Sequence, residues 1–341
     1  MKNNLEYLPP EIQLKILKNL NFDQLFLFKQ TNHYFYNFIN KYKECLARKK
    51  FKKLSIGFDS NYIKLKNIGK INNKLINFPL CNNIQEKWLY ALDKQIPIYL
   101  NVKDTKNVDN FPLLLFSKEY SEDNDFYLKL PLIPKNIEEM KIIYYWFKQI
   151  FLCDFEYIDM EIYIFNPEII KLIFNNEEIK KIKFNFKSAC LYYHNYNIWK
   201  FIYEHLVING FLDIIFHNKE IQKTTENDIN ILLELLLNEG NKIKIVIFTE
   251  PNNNYIKLYN LLINKIETST NLSKIVSSIR FCCINWDCSK LIVKGIERNE
   301  SRKKQKYYKI TNIYNSKIMF LIEWHSFTNN LVDCIRINRF K

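Results

Sequence analysis

Evenly spaced strand patterns place the strongest constraint on the fold of this chain. Runs rich in β-branched and aromatic residues begin at positions 160, 180, 211, 242 and 277, so the last four lie 31, 31 and 35 residues apart. Helical patterns occupy 198–208, 228–238 and 255–266, between those runs. A strand followed by an amphipathic helix at a nearly constant period predicts parallel βα units placed side by side.

This period resembles that of leucine-rich repeats, although their LxxLxLxxN signature and asparagine ladder are not legible in the chain. We therefore predict a mixed α/β arc of degenerate leucine-rich-repeat type, with an open doubly wound sheet as the alternative. Four further strand patterns, at 291–297, 307–314, 318–324 and 334–340, have short polar connections without helices. Those short connections predict that the arc ends in antiparallel hairpins, over about 290–341.

The stretch between the N-terminus and these repeats also carries helix and strand patterns. A helix is expected over 84–94, and strands over 96–100, 111–116 and 126–132. Asn136 precedes two glutamates and an apolar run, which is a helix-start pattern. With 48% hydrophobic and 16% aromatic residues, the chain can build a sizeable core.

Residues 8–43 carry three short helix patterns in close succession. Pro9 and Pro10 stand where a first helix begins, because proline has a fixed φ and needs no N–H partner in the first turn. Asn21 is the predicted N-cap of the second helix, with Gln24 as its capping-box partner. Thr31 and Asn32 mark the third helix start. Helices this short cannot bury all their apolar side chains among themselves, so the pattern implies a partner.

The order of residues in this stretch resembles the F-box, a helical motif that docks on Skp1 in SCF-type ubiquitin ligases. The matching residues are Leu8, Pro9, Glu11, Ile12, Ile16, Leu17, Leu20, Leu25, Asn32, Phe35 and Ile39. The resemblance implies Skp1 contacts from Leu8, Pro9, Ile12, Ile16, Leu17, Leu20, Leu25 and Phe28. Lys29, Gln30 and Thr31 depart from the valine and the cysteine or serine that F-boxes often carry there. The alternative is a helical cap on a larger domain.

Three later stretches, 86–100, 130–146 and 164–176, resemble segments of an expanded family of nematode F-box proteins with a variable α/β C-terminal region. In such families the C-terminal region is taken to recognise a target protein. The resemblance therefore implies a substrate adaptor that joins a cullin complex through Skp1. We predict an F-box module at 1–50, a linker or irregular start at 51–83 and a target-recognition domain at 84–341.

The net charge of +14 raises nucleic acid as an alternative partner, through the basic clusters at 48–53 and 302–309. Arginine, however, supplies only six of the 50 basic residues. Its planar fork is the usual reader of guanine and phosphate, so a lysine-dominated excess favours a solvated surface over specific nucleic-acid recognition. The run at 48–53 is predicted to be a solvated linker.

No pattern in the chain predicts catalysis, a cofactor or a metal. The five glycines are far apart, so no phosphate-binding loop is expected, and the five histidines show no HExxH or HxH spacing. The eight cysteines stand mostly alone in apolar segments, which is typical of reduced thiols; Cys282, Cys283 and Cys288 lack a second pair at zinc-site spacing. We expect a non-catalytic, soluble protein of the cytoplasm or nucleus, with no membrane segment.

Overall fold

The computed structural model describes residues 4–58, 78–101, 112–117, 126–160, 163–181, 183–193, 201–202, 204–216, 225–292, 296–300, 305–325 and 331–340. Its helices are α1 Pro10–Leu17, α2 Phe22–Lys29, α3 His33–Lys41, α4 Asn82–Asp93, α5 Ile137–Ile150, α6 Pro167–Ile173, α7 Asn176–Lys181, α8 Glu226–Asn238 and α9 Ile256–Thr268. Among the described residues, no helix is long and apolar enough to cross a bilayer.

The strands are β1 Lys49–Phe58, β2 Tyr99–Asn101, β3 Pro112–Ser117, β4 Phe126–Lys129, β5 Cys153–Met160, β6 Tyr163–Phe165 and β7 Phe184–Tyr193. They continue with β8 Leu206–Phe216, β9 Ile245–Thr249, β10 Ser278–Asp287, β11 Ile296–Glu300, β12 Gln305–Thr311, β13 Met319–His325 and β14 Leu331–Phe340. The chain is thus a set of N-terminal helices followed by a mixed α/β region with one large sheet.

Twelve strands form that sheet, in the order β11-β12-β13-β14-β10-β9-β8-β7-β5-β1-β3-β4. The six central strands, from β1 through β5, β7, β8 and β9 to β10, are parallel and follow one another in chain order. A doubly wound sheet requires a reversal of that order, so the doubly wound alternative is wrong. The predicted parallel βα units are confirmed, and their leucine-rich-repeat character stays a prediction.

Within the part of the chain that the structure describes, the burial pattern of the strands indicates that helices pack on one face of the sheet. Along β8, β9, β10 and β13, fully buried residues alternate with partly exposed ones. Phenylalanines from neighbouring strands stack on the buried face: the rings of Phe155 and Phe186 are 5.4 Å apart, and those of Phe248 and Phe281 are 5.0 Å apart. Alternating burial is typical of a sheet that is covered on one side.

The C-terminal strands are antiparallel, as the short connections predict: β12, β13 and β14 form a meander that joins the parallel strands through β10. Asn312, which follows β12 and is 3% exposed, fixes this meander to the end of α9. Its Nδ2 donates to the carbonyls of Ile266, Glu267 and Ser269 at 2.8–3.1 Å. Asn312 thereby supplies a donor to the helix-end carbonyls of Ile266 and Ser269, whereas the carbonyl of Glu267 also accepts from Ile313 N.

The structure corrects the predicted linker at 48–53. Lys49–Phe58 is strand β1, which pairs with β5 and β3. Phe51, Leu54 and Ile56 are buried, and the intervening lysines find acidic partners: Lys52 contacts Glu156 at 2.9 Å. The charge run concealed the strand because lysines occupy the positions between apolar residues.

The ends of several other helices and strands also differ from the prediction. Residues 153–159 carried no predicted strand, yet they form most of β5. The helix predicted over 198–208 lies partly outside the described residues and stops before Leu206, where β8 begins. The strand predicted at 291–297 begins instead at Ile296, and residues 305–309 of the basic cluster at 302–309 belong to β12, with 301–304 outside the described residues.

Candidate protein-binding site

Residues 5–46 fold around a small hydrophobic core of their own, here called the helical module. Its buried residues are Leu17, Leu25, Phe35, Phe38, Ile39 and Leu46. These side chains form a cluster separate from the core of the sheet. The ring of Phe28 meets the ring of Phe35 edge-on at 4.6 Å, which joins α2 to α3.

Local sequence signals explain why three helices form here. The carbonyl of Pro9 accepts hydrogen bonds from Ile12 N and Gln13 N, and Pro10 occupies the first turn of α1. Asn21 and Gln24 form the predicted capping box of α2, each side chain accepting from the backbone N–H of the other at 2.9 Å. Asn32 caps α3, as predicted, by accepting from Phe35 N at 2.9 Å.

The buried side chain of Gln13 links the segment before α1 to α3. Its role was not predicted from the sequence. Its side chain is 1% exposed. Nε2 donates to the carbonyl of Leu8 at 2.7 Å, and Oε1 accepts from the hydroxyl of Tyr34 at 2.9 Å. The only signal in the sequence was a polar residue four positions before the buried Leu17. Gln13 therefore ties the segment before α1 to α3.

The outer side of α1 presents an apolar strip that consists of Leu8, Ile12 and Ile16. Their exposed fractions are 37%, 44% and 39%, and the preceding Pro9 is also exposed. The i, i+4 spacing places Ile12 and Ile16 in one row along the helix, and Leu8 precedes the helix by two residues. An aligned row of exposed apolar side chains is typical of a surface that receives a protein partner.

The remaining predicted contact residues differ in how deeply they are buried. Leu17 and Leu25, at 0% and 3% exposure, lie in the module's own core and leave no surface for a partner. Leu20 and Phe28 are half-buried and pack against that core. Their contribution to binding would be to hold the shape of the module.

Two exposed apolar residues on α2 were missing from the prediction. Phe26 is 51% exposed and Leu27 is 65% exposed. From the sequence, the apolar side of α2 is predicted to consist of Phe22, Leu25, Phe26 and Phe28, which places Phe26 inward and leaves Leu27 unassigned. Only the observed packing of Leu25 shows which side of the helix faces inward.

The helical module contacts the sheet through a short junction just after α3, where the chain enters β1. Arg48 Nη1 donates to the carbonyl of Phe151, at the end of α5, at 2.9 Å. Burial lowers the pKa of Lys43, and the nearby Lys148 of α5 lowers it further. The junction lies beyond α3, so it leaves the apolar strip of α1 exposed.

A comparison with protein-family models identifies the helical module. Residues 5–46 match the model of the F-box domain, over the three helices just described. The chain carries an F-box domain. F-box proteins are typically non-catalytic adaptors, and the match supports a general role in substrate recognition by SCF-type ubiquitin ligases.

A second model, a domain of unknown function (DUF8381), matches residues 69–217. This match ends just after β8, although the sheet continues without a break through β9 and β10. No curated protein and no solved structure matches the chain. The resemblance to the nematode families therefore stays a prediction.

The cysteines, for which no metal site was predicted, lie near the end of β10 and elsewhere in the chain. Cys283 and Cys288 lie at and beyond the bulged end of β10, and Cys282 faces Cys334 across to β14. All eight cysteines are free thiols. Within the described parts of the chain, no three ligating side chains come together in a way that could hold a metal ion.

Proposed function

We propose that this protein is a substrate adaptor of an SCF-type ubiquitin ligase, which binds Skp1 through the F-box domain and a target protein through the sheet. The observation that carries the proposal is the apolar strip Leu8, Ile12 and Ile16, exposed on a module that has its own closed core. Because the three side chains are already more than half buried, completing their burial against a partner would contribute only about 0.6–1.3 kcal/mol each. The strip thus provides a driving force for association.

The adaptor needs no catalytic residue. Ubiquitin transfer belongs to other subunits of such ligases, and an adaptor contributes by holding the target near them. The proposal places the protein in the cytoplasm, the nucleus or both, where Skp1 and a cullin would complete the complex.

Two alternatives are less well supported. A plain cap on the sheet domain would have no exposed apolar strip, whereas the F-box domain has both an exposed strip and a separate core. A nucleic-acid-binding role would use the basic cluster 48–53, yet Lys52 and Lys53 are paired with Glu156 and Asp159 at 2.9 and 3.1 Å. Part of the other cluster, 302–309, lies outside the described residues.

The test is the affinity of the full-length chain for purified Skp1, measured by calorimetry. The double variant Ile12→Ala, Ile16→Ala should bind about tenfold more weakly, because the two truncated contacts together remove about 1.4 kcal/mol. Leu89→Ala is the matched control: Leu89 is 50% exposed on α4, in the sheet domain. Equal affinity of the wild type and the double variant would refute the proposal, as would an absence of binding by the wild type.

A further inference from the structure

One face of the twelve-stranded sheet, here called the open face, has no helix packed on it among the residues that the structure describes. A row of directly paired residues crosses this face, and we call it the charged row. It consists of Asp213 on β8, Ile247 on β9, Arg280 on β10, Arg336 on β14 and Glu323 on β13. All five side chains are partly exposed, and residues on either side of them along the strands are buried.

The two arginines of the row lie directly opposite each other, an arrangement that is destabilising unless anions compensate it. Arg336 Nη1 lies 3.9 Å from Glu323 Oε2, and His325 Nε2 lies 3.9 Å from the same oxygen. Arg280 has no carboxylate partner among the described residues, and its buried Nε has no hydrogen-bond acceptor. The row therefore contains a guanidinium whose buried Nε–H donor is not satisfied.

The two basic residues of the charged row are both arginines, the rarer basic residue of this chain. Lysine supplies 44 of the chain's 50 basic residues and arginine only six, yet two of those six face each other here. A guanidinium presents its donors in a planar fork that matches a carboxylate at two points, and it loses less hydration than an ammonium on burial. Arginine at both positions is suited to holding an anion at a partly buried surface.

Asp213 stands two strands away from Arg280, and its carboxylate has no cationic partner among the described residues. Thr249 donates its hydroxyl to Asp213 Oδ1 at 3.0 Å. Burial raises the pKa of Asp213, in keeping with a carboxylate that has lost water without gaining a cation. Neighbouring strands are about 4.8 Å apart, so the backbones of Arg280 and Asp213 are separated by roughly 10 Å, and no ion pair joins their side chains among the described residues.

The charge balance at the basic end of the row distinguishes between anions. Arg280 and Arg336 contribute two positive charges and Glu323 one negative charge, which leaves one positive charge. A single carboxylate neutralises that charge. A dianionic phosphate would leave an excess of negative charge beside Glu323.

We propose that the charged row binds an extended segment of a target protein, with an acidic side chain on Arg280 and a basic side chain on Asp213. An extended chain advances about 3.3 Å per residue, so the two side chains would be roughly two to four residues apart. Ile247 lies between the two charges and offers an apolar contact to the intervening residues. This inference rests on the proposed adaptor function, since it assigns the surface and the chemistry of the target.

The experiment is selection from a displayed library of short random peptides on the full-length chain. The wild type should enrich peptides that combine an acidic and a basic residue at the stated spacing. Arg280→Gln should lose the acidic preference and Asp213→Asn the basic one, whereas Lys257→Gln, a basic position on α9, should change neither. The most enriched peptide, synthesised and titrated, should bind Arg280→Gln at least about tenfold more weakly than the wild type.

Several results would overturn the inference. One is no enrichment by a folded wild type; another is equal affinity of the peptide for the wild type and Arg280→Gln. Tighter binding when phosphoserine replaces the acidic residue would show a phosphate site instead. Displacement of the peptide by single-stranded polyuridylate would show a nucleic-acid surface.

The same variants separate this inference from the proposed function. Arg280→Gln should bind Skp1 as the wild type does, and the Ile12→Ala, Ile16→Ala variant should retain peptide binding. A wild type that binds peptide but not Skp1 would refute the adaptor role alone. One that binds Skp1 but shows no charge-dependent peptide binding would refute the charged row alone.

Discussion

The thiols of Cys282 and Cys334 lie 3.7 Å apart, on directly opposed residues of β10 and β14. A hydrogen bond from Cys282, assisted by Arg336, lowers the pKa of the Cys334 thiol to about 7. Because this pKa is lowered, the reactive thiolate appears as the pH rises through about 7 rather than about 9. The rest of the chain offers a contrast, since burial raises the pKa of Cys153 to about 12.

We therefore expect iodoacetamide to modify Cys334 at neutral pH well before Cys153. Peptide mapping by mass spectrometry across a pH series should place the half-maximal rate at Cys334 near pH 7. Cys282→Ala removes the donor and should move that midpoint upward. Equal labelling of the two residues at neutral pH would contradict the assigned hydrogen bond.

Gln13 should control the local stability of the F-box domain. Gln13→Ala removes a side chain that bonds Leu8 O and the Tyr34 hydroxyl in a buried setting, which costs about 1–3 kcal/mol. Hydrogen exchange should show faster exchange of the α1 amides in this variant. Lys15→Ala, at an exposed position of the same helix, is the control, and equal protection in both variants would argue against the role of Gln13.

Substitution by alanine should destabilise the protein at Gly240 but not at Gly57. A Cβ at Gly240 would stand 2.1 Å from the carbonyl oxygen of Ile275, a backbone atom that cannot move aside, whereas a Cβ at Gly57 meets nothing within 4 Å. Gly240→Ala should lower the free energy of unfolding by about 3 kcal/mol. Gly57→Ala should leave it almost unchanged. Urea denaturation with matching m-values tests the pair, and similar midpoints would contradict the close approach.

Asn312 should be needed to keep the meander attached to α9. Asn312→Ala leaves the carbonyls of Ile266 and Ser269 without their side-chain donor, which we expect to lower the free energy of unfolding by about 2–3 kcal/mol. Asn271→Ala is a control, because Asn271 is exposed and bonds only to its neighbour Ser273. Denaturation midpoints would show the difference, and equal midpoints would exclude Asn312 as a structural link.

Features set by local backbone chemistry could be predicted from the sequence. The capping box of Asn21 and Gln24, the N-cap at Asn32 and the N-cap at Asn136 were all predicted, because each depends on side chains within three residues. The strand and helix alternation was also legible, since burial on one face imposes a period of two on strands and 3.6 on helices.

Features that depend on contacts between residues far apart in the chain could not be predicted from the sequence. Strand β1 was hidden because its lysines are neutralised by Glu156 and Asp159, about a hundred residues away in the chain. Leu17 is buried and Ile16 is exposed. Which of the two faces the core depends on how α1 is rotated against α3. The pairing of Arg280 with Arg336 depends on sheet register, which no single segment specifies.

The assignment of α1 as the Skp1-binding surface can be tested by hydrogen exchange of the full-length chain with and without purified Skp1. We expect slower exchange over 8–17, where the apolar strip of α1 would be covered, and no change along the charged row on β10 and β14. Protection confined to the sheet, or no protection anywhere at saturating Skp1, would contradict the assignment of α1 as the Skp1-binding surface.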